Sequence, residues 1–215
     1  EEAGTIIFNA QYQNDPSLMK GSIFKESWFR YYDTPPQNLR LYQGVDLAIG
    51  KGEMADYFAQ ATVGIDVTGK IYVLEACRGR YTFDEQYRKI IEAYQRHNSP
   101  QTPIIRMGVE ATAYQEALPE KLRRETRLPV ISIRPSLDKI TRANILSASF
   151  ENGRILFRGD GSEKELVEEL LLFPDGEHDD IFDALEIAVS LSLGEPRYSD
   201  IISKKLPQVE PNSKM

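Results

Sequence analysis

The tetrapeptide Val67-Thr68-Gly69-Lys70 separates two apolar runs, near 57–67 and 70–77, and constrains the fold more than any other stretch of this chain. A short break containing glycine lets the backbone reverse, so the two runs read as a β-hairpin. Another strand, through Val45 and Ile49, precedes them and ends at the turn Gly50-Lys51-Gly52. The period then changes. Tyr87, Ile90, Ile91 and Tyr94 recur at helical spacing between Phe83 and His97. A strand at 104–109, a helix at about 113–125 and a fifth strand at 129–133 follow. Helical segments near 139–151 and 162–172 are split by Gly153-Arg154-Ile155-Leu156-Phe157, and a last helix runs from about 179 to 193. Three hairpin-linked strands followed by β-α-β alternation imply an α/β fold, a mixed sheet with helices on both faces.

The ends of the chain read differently. Residues 1–40 carry Tyr12, Pro16, Trp28, Pro35 and Pro36 without a sustained period, which suggests a linker-like segment lying over the domain. Its abrupt acidic start suggests a piece of a longer protein. The core begins near Leu41, giving an expected domain over 41–194, and the proline-bearing stretch 195–215 reads as a loose tail. At 215 residues the chain is long enough for one sizeable α/β core. No apolar run approaches the roughly 20 residues that cross a bilayer, and nothing resembles a secretion signal. Cys77 is the only cysteine, which excludes an intrachain disulfide and a cysteine zinc site and fits a cytosolic origin.

Carboxylates interrupt the apolar pattern at three places. Asp46 lies within Gly44-Val45-Asp46-Leu47-Ala48, Glu110 ends Met107-Gly108-Val109-Glu110, and Asp179, Asp180 and Asp183 open the last helix. A carboxylate in a buried strand costs desolvation energy unless a partner offsets it, and a divalent cation is the obvious partner. Singly, the late acids also suit a helix N-terminus, whose dipole favours negative charge, and Glu110 suits the end of a strand. Asp46 is harder to explain that way. Together the three groups suggest a metal-dependent nuclease site. In such a site oxygen ligands hold two Mg²⁺ or Mn²⁺ ions about 3.5–4 Å apart. Asp46 would bridge the ions, with Glu110 on one side and the Asp179–Asp180 pair on the other. Asp183 lies on a neighbouring helical face, as a supporting group or an additional ligand.

The net charge of −7 argues against a general nucleic-acid binder, so a basic stripe must be local. Arg78, Arg80, Arg134, Lys139 and Arg142 are its candidates, against the plainer reading of a solvated surface. His178 abuts the acid pair and either assists proton transfer, positions a phosphate or lies at the surface. His97 closes a helix as a partner of its dipole, Tyr114 reads as packing, and Cys77 as a small buried hydrophobe. In Arg158-Gly159-Asp160-Gly161-Ser162-Glu163, a turn with Ser162 capping the next helix is expected.

The order of elements is that of ribonuclease H-like domains, in which the first and fourth strands lie side by side. The chain further resembles the nuclease domain of tailed-phage terminase large subunits. The likeness is carried by Gly44-Val45-Asp46-Leu47-Ala48, Gly69-Lys70-Ile71-Tyr72-Val73-Leu74, Arg78-Gly79-Arg80 and Gly108-Val109-Glu110. Asp138-Lys139-Ile140-Thr141-Arg142-Ala143, and Phe173-Pro174 through His178 to Ala184, extend it. Phe8 through Pro16 and Trp28 look like that family's interdomain linker. The resemblance implies metal binding by Asp46, Glu110 and Asp180 with Asp179 adjacent, Asp180 being favoured as the main ligand. It implies phosphate contacts from Lys139 and Arg142. It also implies sequence-nonspecific cleavage of double-stranded DNA leaving 3′-hydroxyl and 5′-phosphate ends. The expected partners are DNA, the ATPase domain of the same full-length chain, the portal and the small terminase subunit, in the cytoplasm of an infected bacterial host. No Gly-rich phosphate loop ending in Gly-Lys-Ser/Thr occurs, so ATPase activity is not expected of this chain.

Other ribonuclease H-like enzymes, such as junction resolvases and RNA–DNA hybrid nucleases, share the acid geometry. An actin-like ATPase also carries a first-strand aspartate, but it needs two such domains and a second phosphate loop. A non-catalytic docking module of the packaging motor would leave buried acids without a counter-charge, which is costly.

Overall fold

The structure, a computed structural model, describes residues 23–48, 57–111 and 115–194. Its order starts at the hairpin. Asp66 Oδ1 accepts the Thr68 and Lys70 amides at 2.8 and 3.0 Å and the Thr68 hydroxyl at 2.7 Å, while Gly69 takes φ +84°. That turn sets the register of β3 (Phe58–Ile65) against β4 (Ile71–Gly79), which it joins antiparallel. On its other edge β3 pairs antiparallel with β2 (Arg40–Asp46). The helix signal is equally local. In α1 (Phe83–His97) the Glu85 carboxylate accepts the Thr82 amide and hydroxyl at 2.8 Å each, and the apolar stripe buries Ile90 fully.

The remaining strands are β1 (Arg30–Tyr32), β5 (Ile104–Glu110), β6 (Val130–Ile133) and β7 (Ile155–Arg158). The remaining helices are α2 (Ala117–Glu125), α3 (Lys139–Glu151), α4 (Lys164–Leu172) and α5 (Asp180–Leu193). The seven strands form one mixed sheet in the order β1-β7-β4-β3-β2-β5-β6. Around the antiparallel β2-β3-β4 centre, the pairs β2–β5, β5–β6, β4–β7 and β1–β7 are parallel. Period-two alternation divides the side chains between two cores. Ala59, Ala61 and Val63 face a core shared with Ala143, Leu166 and Ile187 of α3, α4 and α5. Val45, Phe58 and Val109 face one shared with Ile90, Leu118 and Leu122 of α1 and α2. The mixed sheet with helices on both faces is thus observed.

Helix α5 lies at the centre of this packing. It is buried continuously from Ile181 to Ser192, as a helix apolar on every side must be. It rests on main chain: a Cβ on Gly44 of β2 would stand 2.0 Å from the Ala184 carbonyl oxygen, and one on Gly108 of β5 would stand 2.6 Å from the Ile187 side chain. Two glycines therefore let the helix approach the sheet more closely than any other residue type permits.

Several expectations need revision. The stretch read as a break between helices contains β7, which joins β4 to the edge strand β1. Residues 23–40, expected to lie over the domain, are built into it. Ile23, Phe24 and Phe29 belong to the main core, Phe24 meets Phe150 edge-on at 5.6 Å, and the Tyr32 hydroxyl donates to the Val73 carbonyl at 2.5 Å. Ser162 does not cap α4. Its amide donates to Asp160 Oδ1 at 2.9 Å, and Glu163 occupies the cap position. The strand expected through Ile49 ends at Asp46, and the helix expected from about 113 starts at Ala117. Residues 1–22, Ile49, the turn at Gly50-Lys51-Gly52, Tyr114 and the stretch from Glu195 lie outside the described residues.

Candidate active site

The parallel β2–β5 pairing, with Val45 opposite Val109, brings Asp46 and Glu110 to adjacent strand ends. Each lies two residues beyond a glycine that touches α5, so alternation turns both toward that helix. Helix α5 begins at the same end of the sheet with Asp180, and Asp183 follows one turn later. Carboxyl ends of parallel strands beside a helix start are a common location for sites in open α/β sheets. Asp183 is 6% exposed, and Asp46, Glu110 and Asp180 are partly buried.

These acids act on one another. Burial pushes Asp46 well above the usual aspartate range, and the charges of Asp183, Glu110 and Asp180 push it further against the pull of Lys139. Burial, then Asp183, raises Glu110 to about 7, although Arg142 and Lys139 oppose the shift. Burial and Asp179 raise Asp180, with His178 and Arg78 opposing. Burial raises Asp183 despite Lys139 and Arg142. The four carboxylates carry more negative charge than the local cations offset.

Helix α3 supplies those cations from its first turn, where Asp138 Oδ1 accepts the Thr141 amide at 2.9 Å. Lys139 Nζ lies 2.8 Å from Asp179 and 2.5 Å from Asp183. Arg142 lies 3.0 Å from Asp183 and 3.1 Å from Glu186. Its side chain is only 6% exposed, which corrects the expectation of a phosphate contact: a guanidinium engaged by two buried carboxylates has no open side for a DNA backbone. Among the described residues no three Asp, Glu, His or Cys side chains form a ready-made metal cradle. The cation between Asp179 and Asp183 is the Lys139 ammonium. The donor chemistry nevertheless fits a hard divalent ion, since Asp46, Glu110, Asp180 and Asp183 present only oxygens and a surplus of charge.

The arginine pair after β4 divides its work. Arg78 Nη1 lies 2.6 Å from Glu169 Oε1 and its Nε 3.7 Å from Glu165, so it too is engaged by carboxylates. Arg80 is exposed and stacks on the Tyr57 ring at 4.6 Å, opposite Arg78 at 4.9 Å. His178 meets the same ring edge-on at 5.0 Å, with Nδ1 4.0 Å from Asp180 Oδ2. Arg134 lies at the far side, 3.8 Å from Glu116. His97 pairs with Glu75 at 2.6 Å rather than serving only the dipole of α1. Cys77 is half-buried, and burial raises its thiol to about 11.

Sequence reasoning missed Glu169. Burial pushes its carboxyl up to about 7, despite the Phe182 amide and Arg78. Beside Glu165 and Glu168 it reads as one more solvated acid, yet it shares a helical face with Leu166 and Leu170, and that spacing was the available signal.

Comparison with known proteins agrees with this architecture. No curated protein matches the chain significantly. A full-length large terminase from a thermophilic bacteriophage superposes with a TM-score of 0.63 at 15% identity, covering 80% of this chain and 45% of that one. The chain thus spans less than half the length of that protein. The P22 large terminase nuclease domain gives a TM-score of 0.59 at 13% identity, over 81% of this chain and 93% of that domain. The large terminase nuclease of the thermophilic phage G20c, with bound magnesium, gives 0.55 at 17% identity, over 80% and 97%. Crystal structures of the G20c nuclease also hold cobalt or zinc. At these identities the superpositions speak for the fold, a ribonuclease H-like one. The Terminase RNaseH-like domain model matches residues 43–191, more than half of the sequence and every acid of the cluster, and the chain belongs to that family.

Proposed function

We propose that this domain is a metal-dependent endonuclease that cuts double-stranded DNA as the nuclease part of a viral packaging terminase. The observation that carries the reading is the meeting of Asp46, Glu110, Asp180 and Asp183 at one end of the sheet, each raised by burial and by negative neighbours. In this reading Asp46, Glu110 and Asp180 hold two Mg²⁺ or Mn²⁺ ions, with Asp179 adjacent and Asp183 supporting. When bound, such ions would lower the pKa of an attacking water and offset charge on the leaving oxygen. The chain's own residues do the rest. Arg142 and Glu186 hold Asp183 in place from below. Lys139, 36% exposed, becomes free to face a backbone phosphate once its acids are neutralised. Arg80 on Tyr57 offers a second phosphate contact beside His178.

The wider setting rests on the family. The domain would work with double-stranded DNA, the ATPase domain of a longer chain, the portal and the small terminase subunit, in the cytoplasm of an infected bacterium. The net charge of −7 implies weak DNA affinity for this piece alone, so the motor would deliver the substrate. The division into a linker-like 1–40, a nuclease domain 41–194 and a tail 195–215 is proposed with one amendment, that residues 23–40 fold with the domain.

The test is supercoiled plasmid incubated with the chain and Mg²⁺ or Mn²⁺, with EDTA and Asp46→Asn as controls. Nicking and linearisation that both controls abolish would support the reading. A folded protein that cuts with neither metal would instead point to a docking module or to dependence on the motor half.

A further inference from the structure

The acids of α5 stand at its very start, where a helix has amides to satisfy. The first amides of any helix lack intrahelical acceptors, and an Asp at the N-cap ordinarily folds back to take them. Asp179 occupies that position and makes no such bond. The Ile181 and Phe182 amides donate instead to Glu169 Oε2 on α4, at 2.9 and 3.0 Å. Asp179 is thereby released from capping, and its carboxylate lies 2.8 Å from Lys139.

The other oxygen of Glu169 ties this cap to the sheet. Oε1 accepts Arg78 Nη1 at 2.6 Å, and Glu169 is 5% exposed. Arg78 stands opposite Ala59 in the β3–β4 ladder, and Ala59 stands opposite Asp46 in the β2–β3 ladder. Asp46, Ala59 and Arg78 therefore form one row across three strands. A short chain of contacts runs from the row that carries Asp46, through Arg78 and Glu169, to the helix end that carries Asp180.

We propose that Glu169, anchored by Arg78, is a positioning residue that caps α5 from outside, frees Asp179 and Asp180 for a metal, and sets their place relative to Asp46. This rests on the nuclease reading above. It also gives Arg78 a role different from DNA contact.

The experiment uses the whole 215-residue chain as wild type, Glu169→Ala, Glu169→Gln, Arg78→Met and Asp46→Asn. Three quantities are read: metal-free hydrogen exchange at the Ile181 and Phe182 amides, Mn²⁺ affinity by calorimetry, and kcat and KM for plasmid nicking. Glu169→Ala should speed exchange at those two amides about tenfold or more, leave β2–β3 amides unchanged, and weaken Mn²⁺ about tenfold, the usual effect of removing a group that orients metal ligands. Nicking kcat should fall with KM for DNA unchanged. Glu169→Gln keeps an acceptor for the amides and should recover most of the exchange protection. Arg78→Met should weaken Mn²⁺ several-fold without raising KM. If Glu169→Ala does not fold, the Gln and Met variants carry the same test. Wild-type Mn²⁺ affinity in folded Glu169→Ala, or a rise in KM alone for Arg78→Met, would overturn the proposal and leave the nuclease reading intact. Absence of Asp46-dependent Mn²⁺ binding in the wild type would overturn the nuclease reading itself, and this inference with it.

Discussion

Asp66 and Asp46 lie near opposite ends of β3, one just beyond it in the hairpin turn and one beside its start on β2, and their surroundings are opposite in kind. Slight burial raises Asp66, but the Thr68 hydroxyl, the Lys70 and Thr68 amides and the Tyr72 hydroxyl outweigh it and hold the carboxyl below the usual range. Asp46 is buried among Asp183, Glu110 and Asp180, and its carboxyl is held well above that range. The first aspartate is where folding wants a charge. The second is where folding tolerates one, because a later partner supplies what the apo fold lacks. Glu75 repeats the Asp66 pattern on another face: burial raises it, and the His97 hydrogen bond with the His97 and Arg96 charges outweighs that and lowers it.

The sharpest break in this contrast is a pair of isosteric changes. Asp46→Asn should reduce plasmid cutting to background and raise the melting temperature of the metal-free protein, by removing a charge that its neighbours repel. Asp66→Asn should leave cutting intact and lower the melting temperature, with a stability loss of about 0.5–1 kcal/mol for a largely exposed group. Equal signs for the two would end the comparison.

The next effect is in pH. Glu110 titrates at about 7 in the fold against 4.5 unfolded, so the native state holds its proton more tightly. Metal-free stability from this group is therefore greatest below about 4.5 and declines as pH rises to about 7, by up to about 3 kcal/mol. Glu75 has the opposite sign, its contribution being present above its unfolded pKa and lost as pH falls through its folded value. Melting curves between pH 4 and 8 in EDTA, for wild type, Glu110→Gln and Glu75→Gln, would separate the two. Added Mg²⁺ should stabilise the wild type more at pH 8 than at pH 5. A smaller effect is expected at Lys139. Lys139→Met removes the ammonium between Asp179 and Asp183 and should tighten Mn²⁺ severalfold while slowing cutting. Smallest of all, Glu75→Gln should cost less than about 1 kcal/mol at pH 7 and leave cutting unchanged, since a partly exposed pair is screened.

How much of this was legible depended on the range of the interaction. The hairpin, α1 and α3 are written locally, in a turn, a capping pair and a 3.6-residue period, and the expected spans 83–97 and 139–151 match α1 and α3. Asp46 stood out because it breaks a short apolar run. Strands β1 and β7 did not, because three or four residues are too few to display a period and each is stabilised by the other. Glu169 and Arg142 were hidden for a related reason. Their chemistry is decided by partners 12 or more residues away, Ile181 and Phe182 for one and Asp183 and Glu186 for the other. A charged residue on a helix reads as solvated until its burial is known.

The contact of α5 with Gly44 has a consequence for how this protein tolerates change. Because helix and strand already meet main chain to main chain, the helix has nowhere to settle when a core side chain is shortened. Trimming Ile187 or Leu185 would open a void and lower stability by the usual cavity cost, about 1 kcal/mol for a single methyl(ene), yet the separation of β2 from the start of α5 would persist. Robustness of the fold and accuracy of the site thus become separable properties: one is distributed over many side chains, and the other is vested in a position that has none.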